Sequence, residues 1–347
     1  MSAAPDGFVV ARVSRVIDET PQCRSFELTL PPSARQQFVG RPGQFLRVRA
    51  RTAEPNCERS YSLSSTPTLD ESPRITIKRI PGGRVSNWCN DTLRPRSVIE
   101  VAPPEGRFVL RSTTKPVLMF AAGSGITPVF SVLRHVLAFT DLPAVLVQVN
   151  RSPAEAIFRS TLLELRTSLR GRLEFIEHFT GARGRMTAHD VVAMCTARSG
   201  FDVYTCGPDP FMALIEACAT ECGVPQERIF LERFVPAQAT EMNRGTPGPG
   251  AAQTEVQAHV GVTIDGQRYE YTCEPGQTVL AGALAAGLQL PHSCREGRCG
   301  TCLVELSTGA VHMPRSQGIS KRERERGWIL ACQALPRSPS LEIDYDA

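Results

Sequence analysis

Four cysteines carry the most specific chemistry in the 347-residue chain. Three lie in the run Cys294-Arg295-Glu296-Gly297-Arg298-Cys299-Gly300-Thr301-Cys302, and Cys332 follows far downstream. C-x4-C-x2-C with a distant further cysteine is the ligand spacing of a [2Fe–2S] centre. A pair of iron ions needs thiolates from one tight loop and one more from elsewhere in the fold. Gly297 and Gly300 suit such a loop, because glycine takes positive φ and lets the backbone come close. A structural zinc site would ask for two short Cys or His knuckles, and only one is present.

Further motifs are suited to nucleotides. In Arg59-Ser60-Tyr61-Ser62-Leu63, an arginine can pair with a phosphate, a tyrosine can stack on a flavin ring, and a serine can hydrogen-bond flavin N5. Read alone, the motif also fits an ordinary exposed strand. Gly82-Gly83-Arg84-Val85-Ser86-Asn87 is a glycine turn opening a helix, whose N-terminus can hold phosphate; a plain turn capped by Ser86 is the alternative. Ala121-Ala122-Gly123-Ser124-Gly125-Ile126-Thr127-Pro128 is G-x-G between a strand and a helix, without the third glycine of the dinucleotide fingerprint. Here Thr127 is expected to cap the helix and Pro128 to take its first position. Tyr204-Thr205-Cys206-Gly207-Pro208-Asp209-Pro210-Phe211-Met212 repeats the arrangement at a later strand end, where ligands bind in such sheets. Cys206 would then face a nicotinamide, or be a buried thiol ahead of a helix. The motifs gain by combination. A nicotinamide gives up two electrons as hydride, an iron–sulfur centre takes one at a time, and a flavin links the two.

These motifs need three kinds of scaffold. Residues 8–16, 25–30, 44–50, 74–80 and 98–102 are short β-rich runs between proline and glycine clusters, as in an antiparallel barrel. From residue 116 strands alternate with helices: strands at 117–121, 144–149, 173–178 and 201–206, helices at 129–139, 154–169, 187–196 and 211–221. That alternation predicts a parallel, doubly wound sheet. Residues 236–254 read as a Pro/Gly-rich linker. Strands at 256–264 and 267–273 then flank Asp265-Gly266, a hairpin signal, and a helix over 278–287 leads to the cysteine loop. The expected division is 1–111, a flavin barrel; 112–235, a nucleotide domain; 236–254, a linker; and 255–347, an iron–sulfur domain.

Composition is that of a globular protein with ample core. The net charge of +4 and the lack of basic runs interleaved with aromatics argue against nucleic acid. No signal peptide or bilayer-length apolar run is visible, so no membrane partner is expected. Cys23, Cys57, Cys89, Cys195, Cys206, Cys218, Cys222 and Cys273 are scattered and read as reduced thiols in a cytoplasmic protein. No Cys-x-His pair exists, so a Rieske centre would belong to a partner. In residues 256–347 nine Lys or Arg face ten Asp or Glu, yet residues 315–326 hold five bases and two acids. That stretch is either a helix with alternating ion pairs or a positive docking rim.

Arg59–Leu63, Gly82–Ser86, Ala121–Pro128, Cys206–Met212 and the four cluster cysteines together resemble the ferredoxin–NADP⁺ reductase superfamily with a C-terminal plant-type ferredoxin domain. The resemblance implies a multidomain fold: an antiparallel β-barrel, an α/β parallel-sheet domain and an α+β, β-grasp ferredoxin domain. It implies FAD rather than FMN, held by Arg59, Tyr61, Ser62, Leu63, Gly83, Val85 and Ser86, with Phe234 over the isoalloxazine edge. NADH or NADPH would lie on Gly123, Thr127, Pro128, Cys206 and Gly207. Arg151 could receive a 2′-phosphate, whereas the resemblance leans to NADH. Ser62, Cys206 and Glu232, of the Glu232-Arg233-Phe234 run after the last strand, are the implied catalytic residues, and Cys294, Cys299, Cys302 and Cys332 the iron ligands. The implied activity is electron transfer from NAD(P)H through FAD and [2Fe–2S] to a protein. The expected partner is the oxygenase component of a Rieske-type monooxygenase or demethylase, with the reductase itself a monomer. Other acceptors remain open: a hybrid-cluster protein, a di-iron or haem oxygenase, or a small quinone-like molecule. A redox sensor without turnover is a further reading.

Overall fold

The computed structural model describes residues 7–50, 57–69, 72–169, 171–198, 200–234, 256–264, 266–288, 290–292, 295, 297, 300–316, 318–319 and 321–347. The chain forms two compact units, Met1–Phe234 and Val235–Ala347.

The first unit begins with six antiparallel strands: β1 (Val9–Thr20), β2 (Cys23–Thr29), β3 (Phe45–Ala50), β4 (Cys57–Ser62), β5 (Arg74–Lys78) and β6 (Val98–Val101). Their order is β4-β3-β6-β1-β2-β5. A bridge between Leu63 and Ile75 joins the two edges, so the sheet closes on itself. The start of β1 alternates buried and exposed residues, as a strand with one face on a core must. Phe26, Leu28, Leu46, Val48, Ile75 and Ile77 fill the barrel. Helix α1 (Arg84–Thr92) follows β5. Strand β4 is not among the β-rich runs read from the sequence; only the alternative reading of Arg59–Leu63 as an ordinary exposed strand placed one there.

A parallel sheet completes the unit: β7 (Val117–Ala122), β8 (Ala144–Asn150), β9 (Leu173–Phe179), β10 (Asp202–Gly207) and β11 (Ile229–Arg233), in the order β11-β10-β7-β8-β9. Between them run α2 (Ile126–Phe139), α3 (Arg159–Ser168), the short α4 (Thr180–Arg183), α5 (Ala188–Thr196) and α6 (Asp209–Glu221). β7 is buried along nearly its whole length, as a strand covered on both faces must be. Thr187 and Asp190 cap α5 reciprocally, a device that satisfies two orphan N–H groups. Two expectations are corrected. Glu232 lies inside the last strand, β11, and not after it. Helix α3 starts at Arg159, not at 154, because Phe158 takes φ 60° and stacks on Phe130 at 4.3 Å.

The second unit holds β12 (Ala258–Ile264), β13 (Gln267–Cys273), α7 (Val279–Ala285), β14 (Leu303–Thr308), β15 (Val311–His312), α8 (Lys321–Glu325), β16 (Trp328–Leu330), β17 (Leu335–Pro336) and β18 (Ser340–Asp344). Its main sheet is ordered β13-β12-β18-β14-β16, with β12 and β18 parallel and the other pairs antiparallel. The hairpin pairs Ile264 with Gln267 as expected; Asp265 lies outside the described residues. No helix among the described residues is long and apolar enough to cross a membrane. None of the eight cysteines outside the iron–sulfur motif is in a disulfide among the described residues, and all but Cys222 are buried.

Candidate functional site

On the barrel, β4 and α1 carry the flavin motifs. Ser62 ends β4 and is buried, and its hydroxyl has no hydrogen-bond partner among the described residues. A buried hydroxyl with nothing to bond calls for an explanation, and a bound ligand is one that fits the expected flavin motif. Tyr61, half-buried, packs against the barrel core, and burial holds its phenol well above its usual range. Arg59 donates to the Glu58 carbonyl at 2.6 Å and pairs with no carboxylate among the described residues, which leaves its charge for a phosphate. Gly83 stands at the N-cap of α1 with no side-chain cap and no acid in the first turn. A Cβ there would meet the Ser86 hydroxyl at 2.4 Å, so only glycine leaves the helix N-terminus open. Leu63 and Val85 are buried in the barrel core, where their side chains support the site.

In the parallel sheet the chain order reverses beside β7: β8 and β9 lie on one side, β10 and β11 on the other. Ligands bind at the carboxyl ends of the strands at such a switch point. There the turn Gly123–Gly125 leaves β7, with Gly123 at φ 56°. A Cβ on Gly125 would lie 2.1 Å from the Cys206 carbonyl oxygen and 2.8 Å from the Gly207 nitrogen. The two expected nucleotide motifs are thus in backbone contact. Helix α2 begins at Ile126, a little earlier than expected, so Thr127 and Pro128 lie within its first turn. Thr127 donates to the Ser124 carbonyl at 3.0 Å and closes that turn. A proline is tolerated there because the first N–H groups of a helix have no internal partner. The buried side chains of Asn150, ending β8, and of Thr205, on β10, also lack partners among the described residues. Arg151 follows Asn150 and is exposed.

Cys206 is fully buried and is the register partner of Glu232 on β11. Burial first, and then the Glu232 charge, hold its thiol well above the usual range. Desolvation pushes the half-buried Glu232 carboxyl up to about 8. Both groups therefore keep their protons at neutral pH. The folded chain holds a proton that an unfolded glutamate, near 4.5, releases. This contribution to stability is complete below pH 4.5 and is lost as pH rises through about 8. Glu232→Gln should therefore melt progressively higher than the wild type between about pH 5 and about pH 9, as linkage requires; parallel melting curves would contradict it. Phe234 is half-buried against the nucleotide-domain core.

A residue that the sequence reading missed joins the two halves. Ser131 on α2 is fully buried. Its hydroxyl donates to the Ser65 carbonyl at 2.5 Å and accepts from the Gly43 N–H at 3.2 Å. Its carbonyl accepts from the Thr66 hydroxyl at 3.1 Å. Ser65 follows β4 closely, and Ser131 lies one turn beyond Thr127, so the clamp fixes α2 to the segment that leaves β4. A serine inside an otherwise apolar helical run was the available signal. Ser131→Ala leaves buried partners unsatisfied and should cost about 1–3 kcal/mol of stability. It should also slow flavin reduction in stopped flow about tenfold, since small misplacements of reacting groups are costly. Wild-type rates would show that the clamp does not set this geometry.

In the second unit, Cys302 leads into β14 and Cys332 follows β16. Leu303 and Leu330 are register partners, and the Ala331 N–H donates to the Cys302 carbonyl at 3.0 Å. Strand pairing therefore brings the remote cysteine beside the loop, and both are buried. Cys294 and Cys299 lie outside the described residues. Gly297 and Gly300 take φ 74° and 70°. The Gly297 carbonyl accepts from the Gly318 N–H at 2.8 Å, and a Cβ on Gly300 would press on the Gly318 carbonyl at 3.0 Å. The Thr301 hydroxyl is buried without a partner among the described residues. Buried thiols in a glycine cradle fit an iron–sulfur cluster. The imidazole of His292 is bonded to the Leu290 carbonyl and to Arg295.

Residues 11–110 match the oxidoreductase FAD-binding domain family, 119–217 the oxidoreductase NAD-binding domain family and 262–337 the 2Fe-2S iron-sulfur cluster binding domain family. The chain is 34% identical, over 97% of both chains, to the ferredoxin reductase component of 3-ketosteroid-9-alpha-monooxygenase from Rhodococcus rhodochrous. It is 31% identical to the glycine betaine monooxygenase reductase subunit of Pseudomonas aeruginosa, over 98% of this chain and 96% of the other. Phthalate dioxygenase reductase shares the fold, with a TM-score of 0.61 at 23% identity over 99% of this chain and all of its own. With FAD, nicotinamide and [2Fe–2S] domains in one chain, the protein belongs to the family of NAD(P)H-dependent flavin and iron–sulfur reductases that act as electron-transfer components of oxygenase systems.

Proposed function

We propose that the chain delivers electrons from NAD(P)H to the oxygenase component of a Rieske-type monooxygenase, working as a monomer in the cytoplasm. The observation that supports electron entry is the backbone contact of Gly125 with Cys206 and Gly207 at the sheet's switch point, clamped through Ser131 to the segment after β4; the oxygenase partner is supported by the likeness to reductase components of monooxygenases. Bound FAD supplies the exchange between two-electron and one-electron chemistry, and the [2Fe–2S] centre supplies the one-electron exit. The chain's own residues bind and orient. Arg59, Gly83 and Ser86 would receive the flavin's phosphates, Tyr61 would stack on its ring, and the Ser62 hydroxyl would be available to bond N5. Gly123, Thr127, Pro128 and Gly207 seat the nicotinamide nucleotide. Cys206 and Glu232, both protonated, would add no net charge beside the bound nicotinamide. Cys294, Cys299, Cys302 and Cys332 hold the irons. The sequence has no Cys-x-His pair, so the Rieske centre is the partner's. The glycine betaine and phthalate reductases among its relatives serve a monooxygenase and a dioxygenase by name.

The basic stretch 315–326 would form a docking rim on the face from which electrons leave. Arg324 is exposed on α8 and donates to the Ser316 hydroxyl at 3.4 Å; the side chains of Lys321 and Arg322 lie outside the described residues. An acidic patch on the oxygenase would be steered to such a rim, with an association rate that falls as salt rises. Reversing Lys321, Arg322 and Arg324 to Glu should slow reduction of a purified Rieske oxygenase about tenfold at low salt, as lost steering does, and leave ferricyanide turnover unchanged. An oxygenase reduced equally fast by both proteins at every ionic strength would overturn the docking assignment. A wild-type chain that reduces no Rieske oxygenase would overturn the choice of partner.

A further inference from the structure

The segment after β16 is held from several sides. The N–H groups of Val279 and Leu280, at the start of α7, donate to the carbonyls of Ala334 and Ala331, each at 2.9 Å. The N–H of Gln333 closes a turn onto the Leu330 carbonyl at 2.8 Å. Cys332 and Gln333 are thus fixed in the backbone, and Gln333 is 9% exposed. Its side chain runs back over the cysteine loop. A Cβ on Gly297 would meet the Gln333 Cγ at 2.6 Å, so the loop gives up a side chain at Gly297 to let the glutamine pass. The amide nitrogen then lies 3.0 Å from the Arg295 carbonyl, 2.9 Å from the Cys332 carbonyl and 3.7 Å from the Cys332 Sγ. The two carbonyls are acceptors, and so is the sulfur of a ligating Cys332, which puts the amide nitrogen and not its oxygen on this side; its two hydrogens serve three acceptors, so one is shared with the sulfur. Arg295 takes φ 54°, a conformation that a side chain adopts only where surrounding bonds enforce it.

We propose that Gln333 sets the reduction potential of the [2Fe–2S] centre, by donating from its side-chain amide to the Cys332 sulfur while tying the loop at Arg295. The proposal rests on the reading of Cys332 as an iron ligand. A donor at a ligating sulfur withdraws electron density and favours the reduced, more negative centre, so the potential rises. No proton is transferred; the amide stays neutral in both states.

The test is an anaerobic redox titration of the full chain carrying both groups, followed by EPR of the reduced centre. Gln333→Leu keeps the bulk and removes the donor; Gln333→Glu keeps the shape and replaces the donor with a charge of the wrong sign. With iron content unchanged, each should lower the equilibrium constant for reduction of the centre about tenfold, which is ~59 mV for one electron. The flavin's own potentials serve as the internal control and should stay in place. Unmoved cluster potentials, or a shift shared by the flavin, would overturn the proposal. If both variants lose iron, the wild type decides. Labelled with 15N in its glutamine side-chain amides, it should show a 15N hyperfine coupling in the pulsed EPR of the reduced centre, and its absence would overturn the proposal. Failure of the ligand reading is seen separately, as a full cluster retained by Cys332→Ala.

Discussion

Gly125→Ala is expected to cut NAD(P)H-driven reduction of the flavin about 100-fold, the scale of loss that follows an ångström of misplacement between reacting groups. The wild-type backbone is unstrained there, with φ −61°, so the whole effect comes from the new methyl group. Its carbon would lie 2.1 Å from the Cys206 carbonyl oxygen, and neither backbone can yield alone. β7 and β10 are hydrogen-bonded neighbours up to Ala121 and Cys206, so the turn must move away from the strand. Flavin content and its absorption should be unchanged, since the barrel motifs are on other elements. Stopped-flow reduction at saturating NADH and NADPH is the measurement. A variant within threefold of wild type would show that the closeness of the two loops is not what seats the nicotinamide.

Cys332→Ala should abolish reduction of the one-electron partner. Removing one thiolate leaves the irons short of a ligand, and the visible cluster absorption should vanish with the iron content. Flavin should remain bound, and ferricyanide should still be reduced at the expense of NAD(P)H. A chain cut after Ala239 should behave in the same way, because Met1–Phe234 is compact by itself and the proposed boundaries put both nucleotide sites within 1–235. Loss of flavin from the shortened chain would show that these boundaries are wrong. Serine at position 332 is the weaker test, since its oxygen can still ligate.

The parts of the site that were legible in the sequence are those in which one residue type meets one local demand. C-x4-C-x2-C specifies a loop through its spacing, and the glycines at 297 and 300 adopt the positive φ that their type favours. Gly123–Pro128 is legible because a continuously apolar strand precedes it and a helix follows. What escaped is set by tertiary packing. Strand β4 is polar because its central residues are at least partly exposed, where Glu58 pairs with Arg47 and Arg49 of β3, and only its ends, Cys57 and Ser62, are buried. β11 is a short edge strand with only Ile229 buried, so nothing in its pattern separates it from a loop. The start of α3 is decided by Phe158, which leaves helical geometry to stack on Phe130, and no local signal records that partner. Gln333 and Ser131 each act on a segment remote in sequence.

The seam between barrel and parallel sheet has a bearing on how such enzymes can be recombined. Around Ser131 the contact is made by hydroxyls and carbonyls, and beside it Ser64, Thr76 and Ser25 form a buried hydroxyl ladder at 2.7 Å spacings. Greasy surfaces tolerate sliding, whereas a hydrogen-bonded seam accepts one register, because any slip strands polar groups out of reach of water. A hybrid that grafts the nucleotide domain of a relative onto this barrel will therefore stand or fall on positions 43, 65, 66 and 131. Matching those four should matter more to its turnover than matching the overall identity of the donor.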